Sequence, residues 1–194
     1  MYQRLVQSMR IFIVLICLGL SVASLSAQSN SALALATNHF LETLTPEELK
    51  IVSHKFTDTL RYKWTNLPVG IVPRPGIQYG SLSDDSRIAF HELLTTALSS
   101  QGYLKLTSIM QLDDILNTLY QQAFDKGKIT QETLKMTQEL KWAHGNYFIS
   151  VWGKPGDKDP WGINFGGHHI ALSLTISGAS IAISPLFIGT DPAQ

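Results

Sequence analysis

Thiol chemistry is almost absent from this 194-residue chain: Cys17 is its single cysteine, and it lies inside an apolar N-terminal run. A lipoprotein signal needs a small residue just before that cysteine, and Ile16 stands there. Once the N-terminus is removed no thiol remains, which excludes disulfides, thiolate metal ligands and a cysteine nucleophile together. Charge of one sign is lacking too, with 15 basic side chains against 15 acidic ones. The chain therefore offers no electrostatic footprint for nucleic acid. No long apolar run occurs either, since the uninterrupted stretch 11–20 is about half of the roughly 20 residues that span a bilayer.

That short run has its own meaning. Arg4 and Arg10 give a basic start, residues 11–20 an apolar centre, and Ala23, Ser24, Ser26 and Ala27 a small-residue exit, the pattern of an export signal. Cleavage near Ala27 is expected, so that residues 1–27 form a signal peptide and the mature protein is periplasmic or extracellular. The competing reading is a membrane tether through an uncleaved signal. Loss of Arg4 and Arg10 leaves 15 acids against two fewer bases, a net charge of −2. Residues 28–194 suit one domain with a real core, and 44% hydrophobic against 15% charged residues decides against a disordered tail.

The first half reads as helices. Residues 31–44 form one. Thr45-Pro46-Glu47-Glu48 then supplies an N-cap, a proline at the first helical position and a glutamate three residues after the cap, with Leu49, Val52 and Phe56 as the buried stripe and His54 off it, in solvent. Residues 61–83 carry Pro68, Pro73, Pro75, Gly70, Gly76 and Gly80 and read as an ordered loop with a short edge strand around Tyr62 to Trp64; a loop of that length covers or lines something. Ser83 caps a helix with Phe90, Leu94, Ala97 and Leu98 on its apolar face and Gly102 as its stop. A helix over 104–124 follows, striped by Ile109, Leu112, Leu116 and Leu119. Thr130 caps one more, reaching about Lys141.

Past Asn146 the apolar period changes to alternation, over 147–152, 161–165, 168–177 and 179–186, which predicts four antiparallel strands. Helices first and a β-meander last make an α+β fold.

The stretch that most resembles a site is Trp161-Gly162-Ile163-Asn164-Phe165-Gly166-Gly167-His168-His169. Neighbouring residues on a strand point to opposite faces. His168 falls in register with Ile170 and Leu172 at the core margin, and His169 with Ala171 and Ser173 on a face with room for a ligand. In a regular strand the two imidazoles cannot hold one metal; a bulge at Gly166-Gly167 would re-aim one of them. His169 and His168 are then the candidate catalytic residues and the candidate ligands for a divalent transition metal. Arg74, stiffened by Pro73 and Pro75, and Trp161 are the candidates for binding a small-molecule or polymer substrate. The plainer alternative is a hydrogen-bonded structural histidine, a surface arginine and a core tryptophan.

Other motifs fall short. His91-Glu92 begins like a zinc-protease helix, but Thr95 occupies the place of the second histidine, which leaves a helix-flank His91 with at most one ligand to give. Gly178-Ala179-Ser180 sits in a strand hairpin and not at a nucleophile elbow. Asp113-Asp114 reads as a solvated pair.

Trp64, Pro73-Arg74-Pro75-Gly76, Leu98-Ser99-Ser100-Gln101-Gly102-Tyr103, Trp161-Gly162, Gly167-His168-His169 and Pro185-Leu186-Phe187-Ile188-Gly189 together resemble the domain-of-unknown-function 3500 family. The resemblance runs from about Phe40 to the C-terminus and brings no reaction with it, because the family is uncharacterised and largely bacterial. Its pattern usually continues beyond the segment at Pro185 to Pro192, so the resemblance implies the N-terminal portion of a longer domain. Two functions stay open: an exported hydrolase, metal-dependent or His-dependent, at Gly167-His168-His169, and a non-catalytic exported binding or structural module.

Overall fold

The change of period at Asn146 divides the molecule as expected. In the computed structural model, which describes residues 30–156 and 158–191, the helices precede that point and most of the sheet follows it. The fold is α+β, with N-terminal helices and a mostly antiparallel C-terminal sheet. The expected signal peptide lies outside the described residues.

Helix α1 covers 30–42 and α2 covers Pro46–Val52. At the start of α2 the Thr45 hydroxyl accepts from the Glu48 N–H at 3.3 Å, and the Glu48 carboxylate accepts from the Thr45 N–H at 2.9 Å. This capping box satisfies two donors that a helix start leaves free. The helix stops sooner than its apolar spacing suggests. Ser53–His54 peel away as β1 and pair in parallel with Val151 and Trp152. His54 accordingly stacks on the buried Trp152 ring at 4.4 Å instead of facing solvent, and Phe56 leaves the stripe to lie under the Arg61 guanidinium, 4.0 Å from its carbon.

The proline-rich loop has no strand at Tyr62 to Trp64; Thr59–Tyr62 is a turn of 3-10 helix whose Leu60 N–H is capped by Asp58. Its place in the fold is definite. It crosses the face of the sheet turned away from the helices, where Arg61 donates to the Thr175 hydroxyl at 3.3 Å and Trp64 stacks on Phe187 at 6.5 Å. It closes into β2, Ile77–Gln78, which pairs antiparallel with Ile149 and Phe148. Only glycine fits at position 76, where φ is +99° and a Cβ would lie 2.0 Å from the Ile149 carbonyl oxygen.

Ser83 caps α3, Asp84–Ala97, as its spacing predicts. Gly102 is not its stop. The chain leaves the helix at Leu98, which is extended, and Ser99 immediately caps α4, Ser100–Asp125, by accepting from the Gly102 N–H at 3.2 Å. A good N-cap serine three residues upstream places Gly102 in the first turn of the next helix. Thr130 caps α5, Gln131–Glu139.

The sheet runs β1, β3 (Phe148–Trp152), β4 (Trp161–Gly166), β5 (Ile170–Ser177), β6 (Ser180–Ile188), with β2 beside β3. Ile149, Val151, Ile163, Phe165, Leu172 and Leu174 alternate onto its helix side, where Phe90 bridges Phe40 at 5.3 Å and Phe165 at 5.1 Å. Burial of such side chains, worth about 1.5–3 kcal/mol each, ties the helical layer to the sheet. Ser150, Asn164 and Ser173 share the opposite face, beneath the loop.

Candidate functional site

The Gly-Gly-His-His stretch lies between strands. β4 ends at Gly166, β5 starts at Ile170, and 167–169 form a tight bend closed by the Gly167 N–H donating to the Ile170 carbonyl at 2.8 Å. Gly167 has no space for a side chain, since a Cβ would approach the Tyr147 ring to 2.8 Å. Strand alternation therefore does not govern the imidazoles, and their expected surroundings are exchanged. His169 is the buried one, His168 is half-exposed, and the rings lie side by side with centroids 4.1 Å apart.

Helix α4 explains why His169 is buried. Ile109, Asp113 and Leu116 recur at four- and three-residue spacing on its buried face, which carries Asp113 into the interior, with its side chain 2% exposed. The expected solvated acid pair is thereby corrected for Asp113. A buried carboxylate requires partners, and it has two. The Tyr147 hydroxyl donates to Oδ2 at 2.7 Å and His169 Nδ1 lies 2.6 Å from Oδ1. A carboxylate only accepts, so Nδ1 carries a proton, and the neutral tautomer that this bond selects has its lone pair on Nε2. Burial, reinforced by the Asp113 charge and hydrogen bond, raises the Tyr147 phenol far above its ordinary range, so it remains a donor.

His168 is oriented by the same rule. Its Nδ1 donates to the Asn66 carbonyl at 2.6 Å, and the ring stacks against Trp142, which stacks on Tyr120. Burial pushes the His168 imidazole below its ordinary range; His169 and Arg74 act in the same direction, against the Asn66 hydrogen bond and Asp113. His168 is thus neutral at pH 7, with its own Nε2 lone pair.

Arg74 adjoins the pair through the backbone. Its guanidinium donates to the carbonyls of Val72 and Leu67, to Thr65 O at 3.0 Å and to Gly167 O at 2.8 Å. It is a clamp that holds the proline-rich loop to the histidine bend, with Nη2 and one Nη1 N–H given to backbone carbonyls. Trp161 is not brought to the pair. It sits at the other end of β4, opposite Ile176 and fully buried, whereas the histidines follow the end where Gly166 meets Ala171. A small cavity of about 40 Å³ beside the loop is lined by Trp64, Arg74, Pro75, Asn164 and Ser173 among others, room for a water or two.

Two more imidazoles are engaged. His91 has Tyr79 Oη at 2.8 Å from Nε2 and Tyr103 Oη at 2.9 Å from Nδ1, so it is a phenol-bound histidine and not a free helix-flank ligand; burial lowers its pKa. Asp114, next to the buried acid, holds His144 Nδ1 at 2.7 Å near the surface. Among the described residues no group of three or more His, Cys, Asp or Glu side chains is placed to hold a metal ion, and no helix is long and apolar enough to cross a membrane.

Sequence reasoning missed Asp113 and Tyr147, although a signal existed for the first: an acid in phase with the apolar stripe of α4. Neither a curated protein nor a solved structure matches the chain. One family model, described as Protein of unknown function (DUF3500), matches residues 26–194, in agreement with the resemblance carried by the tryptophan, proline-arginine and histidine motifs. The chain belongs to the DUF3500 family.

Proposed function

We propose that the protein is an exported hydrolase in which His169, oriented by Asp113, is the general base that activates water. The observation that supports this reading is the buried carboxylate held at once by Tyr147 and His169 Nδ1. A carboxylate in that place keeps the imidazole in one tautomer and stabilises the imidazolium formed when Nε2 takes a proton. The proton then returns to the leaving group. His168, neutral and alongside, accepts a hydrogen bond from the same water or the substrate, and Arg74 is a positioning residue that fixes the bend through Gly167.

Hydrolysis of chromogenic acetyl, phosphoryl and glycosyl esters by the purified protein tests this directly. Activity should rise as the base loses its proton, and His169→Ala and Asp113→Asn should each lose about 10²-fold or more. Undiminished turnover in His169→Ala would remove the reading. If that variant changes only the melting temperature, the pair belongs to a non-catalytic binding or structural module.

One observation favours a second reading. Both Nδ1 atoms donate to oxygens, one on a carboxylate and one on a backbone carbonyl, the outer-shell pattern that accompanies metal-bound histidine. On this reading His168 and His169 would hold a divalent transition metal through Nε2, and the bound ion would supply an activated water. Elemental analysis of protein purified without an affinity tag tests it: metal in wild type and loss in His168→Ala support it, and metal-free active protein excludes it.

A further inference from the structure

The proline-rich loop leaves a small cavity beneath it, on the face of the sheet turned away from the helices. From the sheet, Asn164 and Ser173 line it, two members of a polar file in which Ser150, Asn164 and Ser173 lie directly opposite one another on β3, β4 and β5. From the loop come Lys63, Thr65 and Arg74. Neither imidazole of the pair lines it, so the cavity stands apart from the proposed base.

The polar groups around this space are unbalanced. Lys63 and Arg74 bring two positive charges, and among the described residues no acid lines the cavity. Arg74 is half-buried, and no ion pair among the described residues includes it. Its backbone partners take Nη2 and one N–H of Nη1, which leaves Nε–H and the second Nη1 N–H with no acceptor among the described residues. Asn164 gives one amide N–H to the Arg61 carbonyl and accepts from Ser173 at 2.9 Å, and a side-chain amide has a second N–H to give. Ser150, next in the file, has a buried hydroxyl with no partner among the described residues. Donors exceed acceptors, and a cation withdrawn from water without a counter-charge is costly. Such a lining suits a group that only accepts and carries negative charge.

We infer that the cavity binds the carboxylate group of a small organic acid. A carboxylate has acceptors only, and its two oxygens match the forked N–H groups of an arginine. The volume of about 40 Å³ holds about two water-sized groups, the size of those two oxygens. A sulfate or phosphate, with four oxygens around one centre, exceeds it. Trp64, 48% exposed, and Pro75 also line the space and give the organic part of the acid an apolar wall at its mouth, beside the exposed Lys63 ammonium.

Titration of the protein with sodium propionate and with sodium benzoate is the test, followed by the side-chain 15N–1H signals of Arg74 Nε and of the Asn164 amide. Propionamide and sodium sulfate at matched ionic strength are the controls. Either carboxylate should move both signals saturably, with half-saturation at about millimolar concentration, as so few heavy atoms allow. Propionamide and sulfate should leave them in place. In Arg74→Gln, with unchanged circular dichroism, the Asn164 signal should need about tenfold more carboxylate or not saturate at all. Signals that saturate with neither carboxylate overturn the inference, and so does an equal response to propionamide or to sulfate. An Asn164 response that Arg74→Gln leaves intact overturns it as well. Should Arg74→Gln misfold, the wild-type titrations decide alone.

Discussion

Asp113 and Asp114 are successive residues of one helix, and each grips the Nδ1 of an imidazole, at 2.6 and 2.7 Å. The side chains of Asp113 and His169 are 2% and 9% exposed; those of Asp114 and His144 are 49% and 54% exposed. Nearly equal bond lengths therefore sit in very different media. In the buried pair the carboxylate has no water to fall back on, so its partners are obligatory and their geometry is fixed. In the outer pair water competes for every lone pair and salt screens the charge. Only the inner pair therefore has the fixed geometry that chemistry requires.

Deleting each acid in turn separates the two pairs most clearly. Asp113→Ala leaves a buried phenol and a buried imidazole N–H without their acceptor and should destabilise the fold by about 3–5 kcal/mol, measured by urea unfolding. A loss below about 1 kcal/mol, the value ordinary for an exposed pair, would mean that the inner pair is as replaceable as the outer one. Tyr147→Phe removes one of the two donors to Asp113 and keeps the ring against Phe165; about 1–3 kcal/mol is expected, with no change in the helical circular dichroism.

The pH response sharpens the same contrast. Burial lowers the pKa of His168, His91 and His54 below the ordinary 6.5. The unfolded chain then binds protons that the folded chain refuses, so stability is full above about pH 6.5 and falls as pH drops from there toward the lower folded values. Thermal unfolding between pH 7.5 and 5 checks this, and a melting temperature that rises on acidification would contradict it. His168→Asn should flatten part of the slope. The smallest effect is reserved for the outer pair: Asp114→Ala should cost about 0–1 kcal/mol, less in high salt.

What the sequence disclosed depends on whether the cause was local. Thr45, Ser83 and Thr130 announce helix starts because a cap acts within three residues, and the change to alternation after Asn146 marks the sheet. The candidate site was legible in part. Gly167-His168-His169 stood out as a motif, but its ring directions depended on a bend wedged against Tyr147 from another strand. Asp113 was misread because an acid is solvated by default, and only its phase with Ile109 and Leu116 argued otherwise. Arg74 stands out in the sequence between Pro73 and Pro75 as a candidate for substrate binding, yet its partners, the carbonyls of Thr65, Leu67, Val72 and Gly167, are set by the loop path. Gly102 misled because a glycine can stop one helix or open the next, and Ser99 decides between them.

The long-range 15N–1H spectrum of the imidazoles shows directly whether Asp113 fixes the tautomer of His169. In the neutral ring the proton should sit on Nδ1 and the lone pair on Nε2, and Asp113→Asn should give a mixture of tautomers. A proton fixed on Nε2 in the wild-type protein, or a spectrum that Asp113→Asn does not alter, would contradict that role.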